Sequence, residues 1–141
     1  MSEIESIQKD IIEEFSFFED WTQRYEYMIE LGKALPLIHK THKTEENIIR
    51  GCQSKVWIHA HLDGDKVKFT ADNDAIITKG IIAILIRVFS NQHPRSIIDS
   101  NIDFIDNIGL KEHLSPTRAN GLVSMVKQIK MYAVAFQTQL N

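Results

Sequence analysis

Cys52 is the only cysteine in this chain of 141 residues. It stands in the stretch Arg50-Gly51-Cys52-Gln53-Ser54-Lys55-Val56-Trp57. Glycine takes positive φ at little steric cost, so Gly51 suits a tight turn that presents the side chain after it. A lone thiol has two readings. It is a small buried hydrophobe, or it is a nucleophile and acceptor that works as the thiolate. The Gly-Cys turn favours the second. Arg50 and Lys55 flank it, and nearby cations favour thiolate over thiol, which gives the expectation of a lowered Cys52 pKa. An apolar pocket around the sulfur would act in the opposite sense.

Other chemistry is thinly represented. There are six histidines. His59 and His61 alternate on one strand face, and His39 and His42 lie three apart. No second cysteine and no His-Glu-x-x-His pattern accompanies them, whereas a structural zinc site needs four ligands at tight spacing. The expectation is surface or partly buried imidazoles and no metal. A cysteine–histidine pair with Cys52 stays open, because such partners need only meet in space. Asp72-Asn73-Asp74 begins like a calcium loop but lacks the glycine at its sixth position and the glutamate at its twelfth. No Gly-x-Gly-x-x-Gly, phosphate loop or Gly-x-Ser-x-Gly is present. One cysteine also cannot supply the several thiolates that hold an iron–sulfur cluster.

The elements that must position Cys52 follow from periodicity. Ile4, Ile7, Ile11, Phe15 and Phe18 recur at helical steps, with Glu3, Lys9, Asp10 and Glu13 on the other face. Asp20 with Gln23 three residues on predicts the cap of a second helix, which Gly32 is expected to end. Pro36 cannot continue it. Asn47-Ile48-Ile49 reads as a short strand entering the Cys52 turn. Val56, Ile58, Ala60 and Leu62 alternate as a second strand, and Val67 and Phe69 as a third, joined by the turn Asp63-Gly64-Asp65. Asp72-Asn73-Asp74 ends the sheet and offers an N-cap. Residues 75–90 are apolar on nearly every side and long enough for a buried central helix. A short helical turn is expected over residues 94–99. Ser115 and Pro116 start a long last helix with the stripe Leu122, Met125, Val126, Ile129, Tyr132 and Phe136. Gly121 inside it signals a close backbone approach. The fold class is α+β: a three-stranded antiparallel sheet packed against helices from both ends of one domain, residues 1–141.

Five blocks resemble the SufE/CsdE family of sulfur acceptors, in the family's order. They are residues 20–32, Gly51-Cys52-Gln53-Ser54-Lys55-Val56-Trp57, Ala71-Asp72-Asn73-Asp74-Ala75, Lys79-Gly80-Ile81-Ile82-Ala83 and residues 114–122. The resemblance implies the SufE/IscU-like fold. It also implies that Cys52 takes persulfide sulfur from a pyridoxal-phosphate cysteine desulfurase, of the SufS or CsdA type. Cys52 then passes the sulfur on to an iron–sulfur scaffold, and the desulfurase is stimulated. The chain would carry no cofactor of its own. Gly51, Gln53, Arg50, Lys55, Asp74 and Arg118 are expected to support Cys52 or to form the interface. The alternatives are a cysteine-dependent hydrolase or transferase, and a structural interaction domain with an inert cysteine.

Composition narrows the setting. A net charge of −3 suggests no nucleic-acid or anionic-membrane surface. The acidic start Met1-Ser2-Glu3-Ile4-Glu5 lacks the regions of a signal peptide. No apolar run approaches the roughly 20 residues that span a bilayer. One cysteine cannot form an internal disulfide, so a reducing cytoplasm is the expected location.

Overall fold

The computed structural model describes residues 2–52 and 54–140. Helix α1 (Glu3–Ser16) begins at Ser2, whose hydroxyl accepts from the Glu5 amide at 3.1 Å. Ile4, Ile11 and Phe15 are its buried stripe. Helix α2 (Trp21–Lys33) begins at Asp20, which accepts from the Gln23 amide at 2.9 Å, as the sequence spacing predicts. It does not end at Gly32, which lies inside its last turn. Gly32 is a packing residue instead. Helix α3 (Ile76–Phe89) crosses α2 there. A Cβ on Gly32 would lie 3.0 Å from the Gly80 amide nitrogen, and one on Gly80 would collide with the Met28 carbonyl oxygen. Two glycines let the backbones approach more closely than any side chain permits.

Helix α3 is the central buried helix that its composition predicts, with Ile81, Ile82, Ile84, Leu85, Ile86, Val88 and Phe89 all buried. Its one exposed cation near the C-terminus, Arg87, forks onto Glu14 of α1 at 2.7 and 2.5 Å. The hydrogen bonds from Arg87 hold the Glu14 carboxyl below its usual range against the opposing effect of burial.

The sheet has two strands among the described residues, not three. Strands β1 (Val56–Asp63) and β2 (Lys66–Asn73) pair antiparallel, Val56 opposite Asn73 and Asp63 opposite Lys66. Gly64 at φ +65° and Asp65 make the hairpin turn. Val56, Ile58, Val67, Phe69 and Ala71 bury the inner face. The strand expected at 47–49 shrinks to one bridge, Ile48 opposite Trp57. Asn47 is held in a 3-10 turn, Glu45–Asn47, and its side-chain amide donates to the His42 carbonyl at 2.6 Å. Gly51 then turns the chain away at φ +92°. Only the Ile49 amide reaches across, to the Val56 carbonyl at 2.8 Å. The outer edge of β2 is also covered without a strand. Ala71 bonds the Pro36 carbonyl and the Ile38 amide at 3.0 and 2.9 Å, and the Val67 amide bonds the Gln92 carbonyl at 2.8 Å.

Helices α4 (Pro94–Asp99), α5 (Asp103–Asn107) and α6 (Leu110–His113) lead to α7 (Pro116–Leu140). Ser115 accepts from the Arg118 amide at 3.3 Å, and Pro116 occupies the first helical position. Leu122, Met125, Val126 and Ile129 are buried. The Tyr132 hydroxyl donates to the Ile58 carbonyl at 3.4 Å, which ties α7 to β1. Among the described residues no helix is long and apolar enough to cross a membrane.

Gly80→Ala tests the central crossing. It should destabilise the fold by roughly 1–3 kcal/mol, because a methyl group is forced against backbone that cannot retreat. The readout is the midpoint of chemical denaturation, and an unchanged midpoint would show that α2 and α3 part easily.

Candidate functional site

The Cys52 turn lies between the Ile48–Trp57 bridge and β1, against the first turns of α7. Gly51 is required by its backbone. Its φ of +92° lies where side chains are strained, and a Cβ there would sit 2.6 Å from the Ser124 hydroxyl oxygen. The close approach expected at Gly121 is made to Cys52 itself. The thiol donates to the Gly121 carbonyl, with the sulfur 3.6 Å from the oxygen, and a Cβ on Gly121 would lie 3.4 Å from Sγ. Cys52 is half-buried.

The sulfur forms part of the wall of a cavity of about 250 Å³. Gly121 and Ala75 give it apolar surface, while Ser54, Thr78, Thr117 and Arg118 bring polar groups to it. Helices α3 and α7 both present their first turns here. Behind this wall, Asn73 Oδ1 accepts from the Ala75 amide at 2.6 Å and from the Ser54 hydroxyl at 3.3 Å.

Burial pushes the Cys52 thiol above its ordinary pKa. This corrects the lowered value expected from Arg50 and Lys55. Both cations are exposed, where water screens them, and neither lines the cavity. Desolvation of the sulfur therefore wins.

The residues expected around Cys52 separate into three groups. Arg118 shares the cavity. Arg50 faces a different hollow beyond the turn, with Glu45, Glu46 and Lys127. Lys55 and Asp74 act on each other's backbone. The Lys55 amide donates to Asp74 Oδ1 at 3.1 Å, and the Asp74 amide donates to the Lys55 carbonyl at 3.3 Å. Gln53 lies outside the described residues. The N-cap expected from Asp72-Asn73-Asp74 is also absent. Ala75 is the capping residue of α3 and no side chain caps the helix, because Asn73 is spent on the Ala75 amide, Asp74 on Lys55, and Asp72 on Lys43 and Lys79.

Ser54 follows the thiol by two residues, and Thr117 lies beside Arg118 in the block 114–122, but no periodicity or spacing marks Thr78 as a neighbour of the cavity. Thr78 leaves a faint signal as a lone hydroxyl in the first turn of an otherwise apolar helix. The histidines lie elsewhere. The His42 and His59 rings stack at 3.7 Å on the outer sheet face, His113 stacks on Trp21 at 3.8 Å, and His93 caps α4. No histidine lines the Cys52 cavity among the described residues. Among the described residues no group of three or more histidine, cysteine or carboxylate side chains is arranged to hold a metal ion.

Known proteins resemble this chain over most of its length. The family model described as "SufE: Fe-S metabolism associated domain" matches residues 9–133. An uncharacterized SufE-like protein of Rhizobium meliloti (strain 1021) is 43% identical over 129 residues, covering 87% of this chain and 91% of the relative. An uncharacterized SufE-like protein of Synechocystis is 37% identical over 127 residues, covering 90% and 80%. The solution structure of a hypothetical protein from Thermus thermophilus superposes with a TM-score of 0.79 at 20% identity. It covers 94% of this chain and 96% of that one, and the likeness is one of fold.

Two measurements test the site. Native Cys52 should alkylate slowly near neutral pH, and its rate should rise with a midpoint above that of the unfolded chain. Because the folded thiol holds its proton more tightly, stability should fall as pH rises from the unfolded thiol's range through the raised one, and Cys52→Ala should remove that slope. A midpoint at or below the unfolded value would mean that the cations outweigh burial. Separately, Gly51→Ala should cost roughly 1–2 kcal/mol in unfolding free energy, from the left-handed backbone alone.

Proposed function

The chain belongs to the SufE family, whose domain is associated with Fe–S metabolism, and we propose that it accepts sulfur on Cys52 from a cysteine desulfurase. One observation carries this reading: the sole thiol of the chain, held by a glycine turn at positive φ, forms part of a small cavity with a glycine backbone against its sulfur.

In the proposed step the desulfurase carries a persulfide on its own cysteine. The Cys52 thiolate attacks the terminal sulfur and a new S–S bond forms. The old S–S bond breaks, and its electron pair leaves on the desulfurase sulfur as thiolate. Cys52 then holds the sulfane sulfur until a scaffold receives it. No external oxidant or reductant enters the exchange.

The raised pKa gives the partner a task. At rest the thiol is protonated and weakly nucleophilic, so unpaired chains are protected from oxidation. Docking must supply a base or a polar environment that releases the proton. This agrees with a chain that stimulates a desulfurase and has little chemistry by itself. A lone reduced cysteine fits a cytoplasmic setting.

The rival hydrolase reading needs a histidine beside Cys52, and none lines the cavity among the described residues. The inert-cysteine reading needs a sealed thiol, and Cys52 lies on an open cavity wall.

Cys52→Ser and Cys52→Ala should fold and still bind the desulfurase, since few side chains of an interface carry most of its energy. Stimulation of alanine release should vanish in both, because no other side chain here accepts sulfane sulfur. Full stimulation by either variant would make the protein an allosteric activator instead.

A further inference from the structure

The cavity beside Cys52 is equipped for more than a transferred sulfur atom. Thr78 is only 8% exposed, yet its hydroxyl has no hydrogen-bond partner among the described residues, and it lines the cavity. A hydroxyl that the protein leaves unpartnered at a cavity wall is free to donate to an acceptor bound there. Helix α3 starts without a side-chain cap. No acceptor is found for the Ile76, Ile77 or Thr78 amides among the described residues, so the positive end of the helix dipole is open beside the hydroxyl. The first turn of α7 adds Thr117 and Arg118 to the lining, both exposed residues with polar side chains. Arg118 is in no ion pair among the described residues.

We propose that this cavity binds a small anion with a sulfonate head and a sulfane sulfur, of the thiosulfate type, as a direct sulfur donor to Cys52. The proposal rests on Cys52 being the acceptor and adds a second class of donor to it. The ligand class follows from the two halves of the cavity. Hydroxyls, amides and a guanidinium suit hard oxygen acceptors and a negative charge. The opposite wall, Cys52 with the Cα hydrogens of Gly121, is apolar and suits a soft sulfur. The volume, about 250 Å³, lies below the roughly 300 Å³ at which pockets for larger ligands begin.

The step balances without an outside oxidant or reductant. The Cys52 sulfur forms a bond to the sulfane sulfur. The S–S bond of thiosulfate breaks, and its electron pair leaves on sulfite. The thiol proton leaves with it as hydrogen sulfite, and Cys52 is left as a persulfide anion. Arg118 and the α3 terminus offset the charge of the incoming dianion, which would otherwise hold the proton on the thiol.

The test is single-turnover sulfite release from thiosulfate by the full chain, with the mass of Cys52 followed in parallel. Wild type should release one sulfite per chain as Cys52 gains one sulfur. Thr78→Val should raise the half-saturating thiosulfate concentration about tenfold or more, as the loss of a hydrogen bond to a charged group does. Thr78→Ser should restore it. Desulfurase plus cysteine serves as the second donor for wild type. Loading from the desulfurase without sulfite release from thiosulfate overturns this proposal and leaves the acceptor reading standing. Loading from neither donor overturns both. Sulfite release with the same half-saturation in Thr78→Val and wild type overturns the assignment of the anion to this cavity.

Discussion

The contact between the backbones of α2 and α3 fixes much of what this molecule can do. Gly80 lies against the Met28 carbonyl and Gly32 against Gly80, so α3 is held at a distance that tolerates no methyl group. A helix buried on nearly every side cannot slide to relieve strain, because each neighbour is packed in turn. Its first turn is therefore a fixed wall. Thr78 of that turn, and Ala75 just before it, face the cavity in which the Cys52 sulfur lies.

The opposite wall depends on a second pair of glycines. Gly51 turns the chain where a side chain would strike Ser124, and Gly121 lets the thiol come against the backbone of α7. The consequence is electrostatic as well as steric. A sulfur held this close to apolar surface loses water, and its proton is retained despite the cations nearby in sequence. Arg50 and Lys55 remain in solvent, where their charge is screened. The resting chain thus holds its thiol in the protonated form.

The polar residues around the turn divide into work on the fold and work left over. Asp74 fastens Lys55, Asn73 fastens Ala75 and Ser54, and Asp72 is shared between Lys43 and Lys79. These contacts leave α3 uncapped. The side chains of Arg118 and Thr78 find no polar partner among the described residues, and both face the Cys52 cavity.

Linear pattern was enough for the four long helices, the hairpin and the one thiol. Periodicity located α1 and α7 because a buried face leaves its spacing in the chain, and the length of its apolar run located α3. Asp20 and Ser115 are legible as caps because capping needs only local bonds. Gly121 announces a close approach, since glycine inside a helix costs stability without one. Packing settled everything else. It reduced the third strand to a bridge, since Asn47 is taken by a 3-10 turn and Gly51 bends the chain at once. It turned Gly32 from an expected stop into half of a helix crossing. It raised the Cys52 pKa where neighbours in sequence argue for lowering it. It brought Thr78 and Thr117 to the cavity that Cys52 lines from 26 and 65 positions away. Burial and distance in space set these outcomes, and the order of residues along a chain records neither until the helices have packed.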